Sequence, residues 1–301
     1  MMTRRALLGL ALVLLAAAPQ PKTVRLLTIG NSFSGNATRF LGDLAKAGGH
    51  VLVHQSMSVG GASMEVHWTK IQANEKDAKD PAGLYGTRAL NKTLAEGWDY
   101  VTIQQASIKS HDVDTYRPFA TQLRDYVKTH APKAELLLHQ TWAYRVDDPR
   151  FGSKKPGEPA TREAMHASLS AAYAAIAKEL GIRRLPVGDA FNLADSDPAW
   201  GFKPDLKFDR KAAVAPALPD QTHSLHVGWR WSAPKDGKPA ALAMDGHHAN
   251  AAGEFLGACV WYEILFQESV VANPFTPKEV APEDAAYLRN VAHRAVAESV
   301  K

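Results

Sequence analysis

Only one cysteine, Cys259, occurs among 301 residues, which excludes an internal disulfide framework. It lies in an apolar helical stretch and reads as a buried, inert thiol. The formal net charge is only +4 and no long Lys/Arg run is present, so nothing points to a nucleic-acid partner. No apolar run reaches the roughly 20 residues that a membrane-spanning helix needs. Two common loop motifs are also absent. Gly30 and Gly35 have the separation of a phosphate loop, but Asn36-Ala37 stands where Lys-Ser/Thr is required. Ser32 is set in Gly-Asn-Ser-Phe-Ser, not in the Gly-x-Ser-x-Gly elbow of α/β-hydrolases. There are no internal repeats and no low-complexity tracts. What remains is 46% hydrophobic and 22% charged, a composition and length suited to one large α/β domain or two small ones.

The first 20 residues read as a signal peptide. Arg4 and Arg5 form a basic start, Ala6–Ala18 is an apolar run of 13 residues, and Ala16-Ala17-Ala18 offers small residues for cleavage. No cysteine follows to carry a lipid. Export to the periplasm or the medium is expected, with no stable membrane insertion once the segment is removed.

From residue 23 onward apolar strands alternate with amphipathic helices. Strands are expected at Val24–Ile29, Val51–Met57, Asp99–Gln104, Ala134–His139 and Arg184–Val187. Helices are expected at Thr38–Ala47, Arg88–Glu96, Tyr116–Thr129, Thr161–Leu180, Ala249–Phe266 and Ala285–Ser299. Such alternation implies a parallel sheet covered on both faces. Residues 190–244 break the rhythm. They hold six prolines with Trp200, Trp229 and Trp231, and read as an ordered excursion over one end of the sheet. A single domain over residues 21–301 accommodates all of this.

Ligands of open parallel sheets bind at the carboxyl ends of the strands. Ser32 follows the first strand directly, so its hydroxyl sits at that edge. A serine hydroxyl needs an adjacent base to act as a nucleophile. His248 is the expected base, and Asp245, three residues upstream, is placed to accept the proton on its Nδ1.

These segments resemble the SGNH/GDSL hydrolases. Gly30-Asn31-Ser32-Phe33-Ser34 resembles their nucleophile block, and Asp245-Gly246-His247-His248 their terminal Asp-x-x-His block. Ser56–Ser63 resembles the second block, whose glycine amide helps to form the oxyanion hole; Gly61 matches best, with Gly60 the alternative. The third block departs. Where the family reads Gly-x-Asn-Asp, this chain has Gln104-Gln105-Ala106-Ser107. By resemblance to carbohydrate esterases with glutamine there, Gln104 is expected to donate its amide to the oxyanion, with Gln105 second. The resemblance implies a three-layer α/β/α fold with a flavodoxin-like, five-stranded parallel sheet. It also implies acyl-enzyme catalysis by Ser32, His248 and Asp245, with no cofactor and no metal.

Asn31 and His247, beside the catalytic residues, are expected to contact substrate. Trp68 and Trp142, with Trp229 and Trp231, offer flat apolar faces for sugar rings. The expected function is an exported esterase removing small acyl groups, acetyl first, from carbohydrates. Two other readings stay open: a non-catalytic glycan-binding protein on the same fold, and a metal-dependent hydrolase built around His223 and His226.

Overall fold

The computed structural model describes residues 20–153, 157–234 and 239–299. The expected signal peptide lies outside the described residues except for Gln20. Five parallel strands form the central sheet, in the order β2-β1-β5-β6-β7. They are β1 (Thr23–Gly30), β2 (Val51–Ser58), β5 (Tyr100–Ile103), β6 (Glu135–His139) and β7 (Arg183–Leu185). A two-residue pair, β3 (Leu84–Tyr85) and β4 (Arg88–Ala89), lies apart from it. Within the sheet Ile29 stands between Met57 and Ile103, so the ends of β1, β2 and β5 are level at the carboxyl edge. Leu26, Leu27, Val101 and Leu136 to Leu138 are buried, as strands covered on both faces require.

One helical layer holds α1 (Ser32–Thr38), α2 (Leu41–Ala47), α7 (Val187–Asp195), α8 (Ala251–Phe266) and α9 (Pro282–Ser299). The other holds α3 (Met64–Lys76), α4 (Leu90–Leu94), α5 (Phe119–His130) and α6 (Arg162–Leu180). α8 is buried around almost its whole circumference because α1, α2, α7 and α9 all pack on it. Cys259 sits there, fully buried, and burial pushes its thiol well above the ordinary range. None of the described helices is long and apolar enough to cross a membrane.

The sequence reading needs three corrections. The expected helix Thr38–Ala47 is two helices, and the first begins at Ser32 itself, capped by the Asn31 side chain on Phe33 N–H at 2.9 Å. α3 was not expected. Its inward stripe, Met64, His67, Ile71 and Asn74, is half polar, so apolar periodicity is too weak to reveal it. The irregular excursion also has more structure than expected. It takes in the end of α7 and β8 (His226–Trp231), which pairs antiparallel with β9 (Leu242–Ala249).

Two buried histidines make the fold acid-sensitive. His139 Nδ1 faces Gln104 Oε1 at 3.1 Å, and His226 Nε2 faces the Ala143 carbonyl at 3.0 Å. The second nitrogen of each ring has no partner among the described residues. Burial pushes both down to about 3. Below pH 6.5 the unfolded chain binds protons that these rings refuse, so their contribution is complete above 6.5 and lost as pH falls toward 3. The two together cost about 3 kcal/mol between pH 7.5 and 5.5. These two rings are expected to lower Tm by roughly 6–12 °C over that window in calorimetry; His54 and His67, pushed down to about 4 by burial, act in the same direction, and Asp195, pushed up to about 7, acts against them. A flat Tm would contradict the burial argument.

Candidate active site

The site forms where β1, β2, β5 and β6 end. Ser32 is the first residue of α1, directly after β1. Asp245, His247 and His248 lie on β9, just before Asn250 caps α8 through Ala252 and Gly253 N–H. Packing of α8 against α1 brings these distant segments together. Ser32 Oγ lies 2.9 Å from His248 Nε2, and His248 Nδ1 lies 3.0 Å from Asp245 Oδ2. The His248 backbone N–H also donates to Asp245 Oδ1, at 3.1 Å. With Nδ1 facing a carboxylate, the ring proton sits there and Nε2 is left to accept from the serine hydroxyl. Burial alone would raise Asp245. The hydrogen bonds from the His248 backbone and ring outweigh it and hold the carboxyl below its usual range.

His247 shares the same carboxylate, its Nδ1 3.1 Å from Asp245 Oδ1. Burial lowers its pKa, against the pull of Asp245. Ligand atoms of Asp245, His247 and His248 lie within 4.8 Å of one another, as a metal-binding group would. Their geometry is accounted for equally by the hydrogen bonds just described. The histidines of the metal-dependent alternative do not converge. His223 stacks on Trp200 at 4.7 Å, whereas His226 is buried against the Ala143 carbonyl.

A cavity of about 230 Å³ opens over Ser32 and His248, with Gly61, Ser107, Tyr144, Arg150 and His247 in its wall. Gly61 has φ +67°, which an L side chain rarely adopts, and its amide has no partner among the described residues. Ser32 N–H is likewise free of a protein acceptor there. Gly60 does not line the cavity.

Both glutamines are elsewhere. Gln104 is buried beneath the site, where its amide donates to Asn31 Oδ1 at 2.7 Å and its carbonyl accepts from Ser34 Oγ and His139 Nδ1. Gln105 points to the other face. Its amide donates to the Thr115 carbonyl at 2.8 Å, and its carbonyl accepts from Met64 and Ala106 N–H. Neither is available to an oxyanion, because successive residues leaving a strand point to opposite faces and both faces here are covered. Asn31 is also committed to the protein. It caps α1, accepts from Gln104 and donates to the Ala62 carbonyl at 2.9 Å, thereby tying the first and second blocks together.

The tryptophans are corrected too. Trp142 is fully buried, packed between Phe33 and Phe191 at 4.4 and 4.5 Å, with its N–H on the His247 carbonyl. It braces β9 at His247 and has no free face for a sugar. Trp68 packs on Tyr126, away from the cavity. Trp229 bonds Asp147 and Trp231 bonds the Ala217 carbonyl, both outside the cavity wall. Sequence reasoning missed Ser107, Tyr144 and Arg150. The position of Ser107 and Tyr144 just after β5 and β6 was the available signal, whereas Arg150 lies well beyond the end of β6 and carried none.

Five parallel strands between two helical layers bring serine, histidine and aspartate together at the carboxyl edge of the sheet. The chain belongs to the DUF4886 family, a domain of unknown function, which it matches over residues 25–155 and 236–295. It is similar to the crystal structure of a DUF4886 family protein from Bacteroides uniformis, with TM-score 0.68 and 26% identity over 93% of this chain and 96% of that one. A protein from Slackia heliotrinireducens described as an SGNH hydrolase aligns at TM-score 0.49 and 20% identity, covering 80% and 98% of the two chains. A protein from Parabacteroides merdae described as a GDSL-like lipase aligns at 0.45 and 13%, covering 83% and 99%. No curated protein matches the chain.

Proposed function

We propose that this protein is a serine esterase that removes small acyl groups, acetyl foremost, from a hydroxylated substrate such as a carbohydrate. The observation that carries the reading is the 2.9 Å contact of Ser32 Oγ with His248 Nε2, backed by Asp245 and open to a cavity. In this mechanism His248 takes the hydroxyl proton as Ser32 attacks the ester carbonyl, and later gives it to the leaving alcohol. Asp245 keeps the proton on Nδ1 and stabilises the imidazolium. The amides of Ser32 and Gly61 hold the oxyanion. Water then releases the acyl group by the same route in reverse. A cavity of about 230 Å³ favours short acyl chains, since pockets for drug-sized ligands start at roughly 300 Å³. The leader-like first 20 residues support a place of work outside the cytoplasm, periplasmic or secreted.

The test is turnover joined to labelling. The mature protein is expected to hydrolyse p-nitrophenyl acetate at least tenfold faster than the octanoate ester, with or without a chelator. Phenylmethylsulfonyl fluoride is expected to stop it by adding one group to Ser32, read by peptide mass spectrometry. Label on another residue, or loss of activity to the chelator, would refute the serine mechanism. Glycan binding without any turnover would favour the non-catalytic alternative.

A further inference from the structure

The cavity wall contains one cation whose charge the site does not use. Arg150 follows β6, in a short turn formed by Pro149–Gly152, and borders the same cavity as Ser32 and His248. Its guanidinium lies over the Tyr144 ring, 4.8 Å from the centroid. Tyr144 is itself fixed, being buried and bonded through its hydroxyl to Ser107 Oγ at 3.0 Å. No carboxylate of a described residue pairs with Arg150. Five residues away Arg145 shows the contrast. It is buried and neutralised by Asp147 through two bonds of 2.7 and 3.0 Å.

The carboxylate nearest in sequence is engaged otherwise. Asp148 Oδ1 accepts the Arg150 backbone N–H at 2.9 Å, and a Cβ on Gly246 would meet Asp148 Oδ2 at 2.4 Å. Asp148 thus holds the Arg150 turn against β9, the strand that carries His247 and His248. Arg145 N–H bonds the Gly246 carbonyl at 2.8 Å and adds to the same junction. The guanidinium is therefore oriented by the Tyr144 ring and hydroxyl and by its turn, and with no carboxylate partner among the described residues its remaining donors are open to a ligand. Planar, paired donors of this kind match a carboxylate.

We propose that Arg150 is a specificity residue that binds a carboxylate on the substrate, so that the preferred ester is an acylated acidic saccharide of the uronic-acid type. The inference rests on the esterase reading and narrows its substrate. Arg150 and Ser32 line one cavity of about 230 Å³, so a carboxylate on the first and an acyl carbon on the second can belong to one substrate molecule.

The experiment compares O-acetylated galacturonic acid with its methyl ester, which differ by one charge near the ring. Wild-type kcat/KM is expected to favour the acid at least tenfold in low salt, with the preference shrinking in 0.5 M sodium chloride. Arg150→Gln is expected to bring the ratio to about one, mainly through KM for the acid. Equal rates on the two substrates in the wild type, with p-nitrophenyl acetate still hydrolysed, would overturn the inference and leave the esterase standing. A preference that survives Arg150→Gln would overturn it as well. If no ester is turned over, the esterase reading fails instead. Calorimetry with free galacturonic acid then decides the subsite: binding lost in Arg150→Gln supports it, and binding unchanged ends it.

Discussion

Ser32→Ala is expected to reduce turnover of p-nitrophenyl acetate by about 10⁴- to 10⁶-fold and to leave Tm within about 2 °C of the wild type. The two halves of that expectation have different origins. The hydroxyl makes one side-chain contact, to His248 Nε2, and removing it leaves an acceptor that the open cavity can solvate. No buried polar group loses its only partner, so the fold has little to lose. Turnover loses its nucleophile altogether, and what survives is the contribution of substrate binding and the two amides. Steady-state rates on protein purified free of host esterases, paired with a thermal melt, check both halves. Activity retained above one part in a hundred would remove Ser32 from the chemistry.

Gln104→Leu is expected to do the opposite, with a large loss of stability that drags activity with it. Gln104 joins Asn31 Oδ1, Ser34 Oγ and His139 Nδ1 in a region closed to water. Leucine of similar size leaves the hydroxyl and the ring N–H unbonded and takes one donor from the Asn31 cap. At about 1–3 kcal/mol for each buried group left unsatisfied, the expected loss is about 4 kcal/mol, or roughly 8–16 °C in Tm. Because Asn31 caps the helix that begins with Ser32, kcat is expected to fall about 10²-fold in the surviving folded protein. Chemical denaturation and kcat measured together separate this from an oxyanion role. A donor to the oxyanion would cost rate with stability unchanged, and that outcome would refute the placement of Gln104.

How far the site could be seen beforehand follows from how local each signal is. Ser32 after an apolar strand, and Asp245 three residues before His248, are relations within a few residues of chain. The paired glycines before α3 are another, since a left-handed amide is written in a single glycine. Strands β1, β5 and β6 were visible for the same reason, as short apolar runs ended by glycine or by polar residues. Gln104 and Gln105 were visible as residue types but not as roles. A strand end offers two faces, and only the packed neighbours show that one glutamine lies under α1 and the other against Thr115. Trp142 illustrates the same gap. Its type suggests a sugar platform, whereas Phe33 and Phe191 cover both of its faces.

The sequence by itself determined the alternation that makes a parallel sheet, the serine at the end of its first strand and the carboxylate that accompanies His248. Periodicity, turn residues and short spacings act within a few residues, so they are carried by the chain whatever its fold. Only the tertiary structure decided that the serine and histidine meet, that Gln104 braces the start of α1 while Gln105 turns to the other face, and that Tyr144 and Arg150 face the same cavity. Those are distances between segments far apart in sequence. They depend on α8 packing against α1 and on which side of each strand is covered, and no local pattern records either.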